Sequence, residues 1–159
     1  MERMPEFAAP KLGKFDTDVR VEAEIPEKAN GVVYALGSFA GGLSLFMIDG
    51  YLYYEYNLFE VERTLMKSKA PLPAGDVVIE VESRLKEARP ISPLDVVVTV
   101  NGKEVISGTV PRTAPLLFTA NDCLDIGYDW GSPVSTEYFD EAPFEFEGTL
   151  GTTTISYPE

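Results

Sequence analysis

The stretch Leu43-Ser-Leu-Phe-Met-Ile48, Asp49-Gly50, Tyr51-Leu-Tyr-Tyr-Glu-Tyr-Asn57 decides the fold class. Two extended runs of aliphatic and aromatic residues flank an Asp-Gly pair, which supplies the positive φ angles that a two-residue type I′ turn demands. The reading is a tight β-hairpin. Tyr51, Tyr53, Tyr54 and Tyr56 put rings on both faces of its second strand. That predicts a strand covered on two sides, or one that meets a partner.

Outward from the hairpin the same period-two pattern recurs. Val19, Val21, Ala23 and Ile25 alternate with Arg20, Glu22 and Glu24 until Pro26, and Val32 to Leu36 forms a second run before Gly37. Phe59 to Lys67 continues as a strand, Pro71 to Gly75 reads as a loop, and Val77, Ile79, Val81 and Leu85 alternate with Glu80, Glu82 and Arg84. After a polar loop, Lys86 to Pro93, the runs Asp95–Val100 and Lys103–Val110 enclose Asn101-Gly102, a second hairpin signature. From Pro111 to about Pro143 the chain is irregular, with short extended pieces at Leu116–Thr119 and Leu124–Ile126, and Thr149 to Tyr157 closes it. About ten strands with turns every 8 to 12 residues and no helical stripe predict an all-β, two-sheet antiparallel sandwich of the jelly-roll type. Residues 1–14 read as a lead-in arm or linker, and residues 15–159 as a single domain.

Composition removes several functions. The 159 residues hold 26 acids against 13 Lys and Arg, a net charge of −13, so nucleic acid and anionic membrane surfaces are poor partners. Histidine is absent, which removes Ser-His-Asp and Cys-His hydrolases, His-ligated zinc and imidazole acid–base chemistry. The single cysteine, Cys123, has no basic neighbour in sequence and reads as an inert, half-buried thiol that says nothing about compartment. The N-terminus lacks a signal-peptide pattern, and no window carries the roughly 18 apolar residues of a membrane-spanning helix. Localisation stays unassigned, and no catalytic residues are read.

The densest polar run is Asn121-Asp122-Cys123-Leu124-Asp125-Ile126-Gly127-Tyr128-Asp129-Trp130-Gly131. Asp122, Asp125 and Asp129 make it a calcium candidate, the one cofactor considered, although the spacing is not that of an EF-hand. The competing expectation is that these acids cap turns. Phe39, Tyr128, Trp130, Tyr138 and Phe139 could form a sugar-stacking platform beside acids and amides, against the alternative of cross-strand or interface packing. Arg63 and Arg112 sit in or after apolar strands, where arginine pairs with an acid or reaches across an interface. Phe39–Gly42 and Asp122–Val134 are the expected contact loops, with Phe39, Arg63, Arg112, Tyr128 and Trp130 as binding candidates.

An ordered set of blocks adds a resemblance. Gly31-Val-Val-Tyr-Ala-Leu-Gly37, Phe39-Ala-Gly-Gly-Leu-Ser-Leu45, Asp49-Gly50, Tyr54-Glu-Tyr-Asn57 and Glu62-Arg63 look like the C-terminal domain of bacterial arylsulfatases. So do Leu72-Pro-Ala-Gly75, Val100-Asn-Gly-Lys103, Val110-Pro-Arg-Thr113, Asp125-Ile-Gly-Tyr-Asp129, Gly131-Ser-Pro-Val134, Pro143-Phe144 and Phe146-Glu-Gly-Thr149, in the family's order from about Met4 to Tyr157. The resemblance implies a laminin-G or concanavalin-like jelly roll. It also implies what is missing: Cys123 is followed by Leu-Asp-Ile, so the Cys/Ser-x-Pro-x-Arg motif of the formylglycine is absent. Arg3-Met4-Pro5 resembles the linker behind the family's catalytic domain. The expectation is therefore a non-catalytic accessory module that packs on a sulfatase catalytic domain or mediates homo-oligomer assembly. The alternative is a lectin-like carbohydrate-binding module.

Overall fold

Alternation along the chain turns into two facing sheets because one face of each strand must leave water. The computed structural model describes residues 4–114, 118 and 123–158, and of Phe7 the backbone alone. Strands β1 (Met4–Pro5), β10 (Cys123–Ile126), β3 (Gly31–Ser38), β4 (Gly41–Ile48), β5 (Tyr51–Leu58) and β6 (Glu62–Lys67) form one sheet in that order. The second sheet runs β11 (Thr149–Ser156), β2 (Thr17–Ile25), β7 (Gly75–Leu85), β8 (Leu94–Val100) and β9 (Lys103–Val110). Every pairing is antiparallel. The protein is an all-β jelly-roll sandwich, and among the described residues no helix is long and apolar enough to cross a membrane.

The main core lies between the sheets. Val19, Val21, Ile79, Val81, Val96 and Val98 from one sheet face Leu36, Leu43, Leu45, Leu52, Tyr54 and Tyr56 from the other. Each such side chain stabilises the fold by about 1.5–3 kcal/mol through loss of apolar contact with water. The register follows the hairpin turns: Ile48 pairs with Tyr51 around Asp49-Gly50, and Val100 with Lys103 around Asn101-Gly102, with Asp49 and Asn101 at φ 50° and 51°.

Two expectations need correction. The strand read from Phe59 begins at Glu62, because Phe59 and Glu60 take φ of 49° and 62° and the backbone turns there. Residues 1–14 are more than a lead-in arm from Met4 onward. Met4 and Pro5 pair with Leu124 and Cys123, Ala9 and Leu12 enter the main core, and buried Glu6 bonds Lys14 at 2.7 Å. This segment has too few residues in any one conformation to show a period, so its burial is invisible in sequence.

The six-stranded sheet is covered on its outer face as well. Residues 127–146 cross it as a strap and build a second, smaller core from Val32, Ala35, Phe46, Val134 and Tyr138, with Ile48, Tyr53 and Phe144 against it. The tyrosine-rich strand is thus covered on two sides by its own chain. Close approach of the strap explains Gly31: at φ +116° a Cβ there would lie 2.2 Å from the Glu145 carbonyl oxygen.

Candidate functional site

The strap is fixed by buried polar groups. Asp125 Oδ2 accepts from the Trp130 amide at 2.8 Å, and Asp129 Oδ2 accepts from the Val134 amide at 2.8 Å, each closing a turn of the polar run. The Tyr138 hydroxyl donates to Asp129 Oδ2 and lies 2.9 Å from Ser44 Oγ. Having one proton, it accepts from Ser44. Burial first, then the Asp129 charge, pushes the Tyr138 hydroxyl well above the ordinary tyrosine range, so it stays a donor.

A second group of contacts joins the strap to the β3–β4 hairpin tip. Asn57 Nδ2 donates to the Phe39 carbonyl at 2.7 Å and to the Val134 carbonyl at 3.2 Å. Arg63 Nη1 donates to the same Val134 carbonyl at 2.9 Å, while its guanidinium carbon stands 4.7 Å from the Phe39 ring centroid. Beneath it Glu55, 2% exposed, reaches Arg63 at 3.8 Å. Burial raises the Glu55 carboxyl, a shift opposed by the Ser135 hydrogen bond and Arg63 and reinforced by Glu137. Above this base Phe39 meets Phe139 edge-on at 5.3 Å, and the Ser132 hydroxyl lies 3.3 Å from the Phe39 amide. Two residues before Ser132, Trp130 is 52% exposed, and Phe139 is 49% exposed.

Of the binding candidates, the structure brings Phe39, Arg63 and the Trp130 loop into one region. Tyr128 is half-buried in the strap. Arg112 turns away to Glu62 Oε2 at 3.2 Å, tying the exit of β9 to β6 at a solvent-exposed pair. The calcium expectation finds no cluster to rest on. Asp125 and Asp129 are 1% exposed with an oxygen of each given to a backbone N–H, and Asp122 lies outside the described residues. Among the described residues no group of three or more His, Cys, Asp or Glu is placed to hold a metal ion. Cys123 is a half-buried free thiol in β10. Part of the Leu116–Thr119 piece also falls outside the described residues.

Sequence reasoning missed Asn57 and Glu55 as organisers of this region. The signal was present: an acid and an amide inside Tyr54-Glu-Tyr-Asn57, a strand apolar on both faces, must be buried and partnered.

No family model matches the chain, and no curated protein does. Solved structures do. The mouse laminin alpha1 chain, domains LG4-5, superposes with a TM-score of 0.70 at 15% identity, covering 97% of this chain and 38% of that one. A native heptameric SAP-like pentraxin from Limulus polyphemus gives 0.56 at 13% identity over 98% of this chain and 66% of that one. The LG1-3 region of the laminin alpha2 chain gives 0.56 at 16% identity over 95% and 30%. These likenesses show a two-sheet sandwich fold like that of the laminin chains and the pentraxin. At such identities they show the fold alone, and the chain spans less than two thirds of each of those chains.

Proposed function

We propose that the chain is a non-catalytic recognition module that holds a neutral sugar ring against Trp130 and the Phe39–Phe139 pair. The observation that carries this reading is the contrast between exposed rings and a locked base. Trp130 and Phe139 are about half exposed, yet the Trp130 amide is held by Asp125, the Val134 backbone by Asp129 and Arg63, and the Phe39 carbonyl beside Phe139 by Asn57. Rigid exposed rings bind with little further loss of side-chain freedom. The C–H faces of a sugar pack on such rings, and hydroxyls need nearby acceptors. Ser132, Glu137, Asp140 and Glu141 are exposed on the same segment. Its acids, and the net charge of −13, favour neutral or amino sugars over sulfated or carboxylated ones.

An array of neutral and acidic glycans tests it. Neutral glycans should be retained, and Trp130→Ala and Phe139→Ala should each weaken binding at least tenfold with circular dichroism unchanged. A blank array, or retention unaffected by Trp130→Ala, refutes the reading.

A second occupant of the same surface is supported by a separate observation. The blocks that resemble the arylsulfatase C-terminal domain are spread over both sheets, and four of them, Phe39–Leu45, Asp125–Asp129, Gly131–Val134 and Pro143-Phe144, fall in or beside the strap and the β3–β4 hairpin. In that accessory role the surface packs on a sulfatase catalytic domain. Co-purification with such a domain, abolished by Phe139→Asp, is the expected result, and the chain alone should not turn over a chromogenic sulfate ester.

A further inference from the structure

A separate groove of about 840 Å³ opens where β2 begins and where β7 and β11 end. Leu85, Ala88, Pro90 and Ala114 line it together with the rings of Phe15 and Tyr157. Both residues are 54% exposed, so the groove presents aromatic surface that the described residues leave uncovered. Its volume is that of a site for one small organic molecule.

The polar groups at the groove set the sign of its ligand. Among the described residues, Lys11, Lys14 and Arg89 line it with a single carboxylate, Asp16. Asp16 is committed, since its Oδ1 accepts from the Leu85 amide at 2.7 Å. Lys14 is committed to Glu6, and Arg89 to Glu87. Among the described residues the Lys11 ammonium meets no acid, in a chain whose acids outnumber its bases two to one. The Lys11 amide donates to Tyr157 Oη at 2.8 Å, which fixes that ring and leaves the hydroxyl proton available to a ligand. Ile91, next to Pro90 in the wall loop, holds φ +64° at 44% exposure. A β-branched residue is strongly disfavoured there, and such strain concentrates at ligand-binding loops.

We propose that this groove binds an amphiphilic anion: an aromatic or aliphatic body against Phe15, Leu85 and Tyr157, with one sulfonate, sulfate or carboxylate group on Lys11 and the Tyr157 hydroxyl. A cation would be refused by Lys11, and a neutral body would leave its charge unused. This site is independent of the sugar surface and uses none of its residues.

A matched pair of fluorescent probes tests the proposal: 1-anilinonaphthalene-8-sulfonate, and N-phenyl-1-naphthylamine, which lacks only the sulfonate. The intact protein should bind one equivalent of the sulfonate, at least tenfold tighter than the neutral probe. Lys11→Met keeps the aliphatic stem and should erase that preference by weakening the sulfonate alone. Trp130→Ala should change neither affinity. Equal affinity for the two probes, several equivalents bound, or a sulfonate affinity untouched by Lys11→Met overturns the proposal. So does a concentration-dependent dimer that excludes the probe, because a second copy would then occupy the groove.

Discussion

Replacing Tyr56 by phenylalanine removes one oxygen atom that fastens two remote segments to the six-stranded sheet. Tyr56 is fully buried, its hydroxyl donates to the Gly13 carbonyl at 2.8 Å, and it accepts from the Ala114 amide at 2.9 Å. Burial pushes that hydroxyl far above the ordinary tyrosine range, so the donor persists at any pH the fold tolerates. Phenylalanine keeps the ring and its edge-on contact with Phe118 at 5.3 Å, so no large cavity opens. What changes is that a carbonyl and an N–H lose their partner away from water. Each such buried group costs about 1–3 kcal/mol, and partial relaxation brings the pair to about 2–4 kcal/mol. For a domain of this size that corresponds to a Tm lower by roughly 5–12 °C. Urea unfolding should show the midpoint falling with an unchanged slope, and amide exchange at Ala114 should accelerate. A loss below about 0.5 kcal/mol would refute the view that this hydroxyl holds the 9–16 and 111–114 segments, which also wall the groove.

Two further substitutions probe the strap. Folded Glu55 has its pKa raised by burial, so its contribution to stability is greatest below the ordinary glutamate pKa of about 4.3 and declines as pH rises through the interval up to the raised value. Glu55→Gln should flatten that part of the stability–pH curve in urea melts, and an unaltered slope counts against the assignment. Tyr138→Phe removes the proton that Tyr138 gives to buried Asp129, a charge-assisted bond worth about 1.5–3 kcal/mol. Stability should fall by that amount and the Val134 amide should exchange faster, whereas a wild-type melt would show that Asp129 is satisfied without it.

The two hairpins were legible because Asp49-Gly50 and Asn101-Gly102 encode their turns locally between runs rich in β-branched, aliphatic and aromatic residues. Alternation likewise specified the faces of β2, β7 and β8, whose burial is strictly periodic. The strand read at Phe59 shows the limit of that signal, since positive φ at two non-glycine residues left no mark in the sequence.

By itself, then, the sequence determined an all-β sandwich, its hairpin registers and a chemistry without histidine. Those properties depend on residues within one turn or one strand of each other. Only the tertiary structure decided that 127–146 lies across the outer face of the six-stranded sheet and buries Asp125 and Asp129, whose turn-capping was one of the two readings the sequence allowed. It alone brought Lys11 and Tyr157, 146 residues apart, to the edge of one groove. Such meetings are set by how two packed layers exclude water over long separations in the chain, and no local periodicity records them.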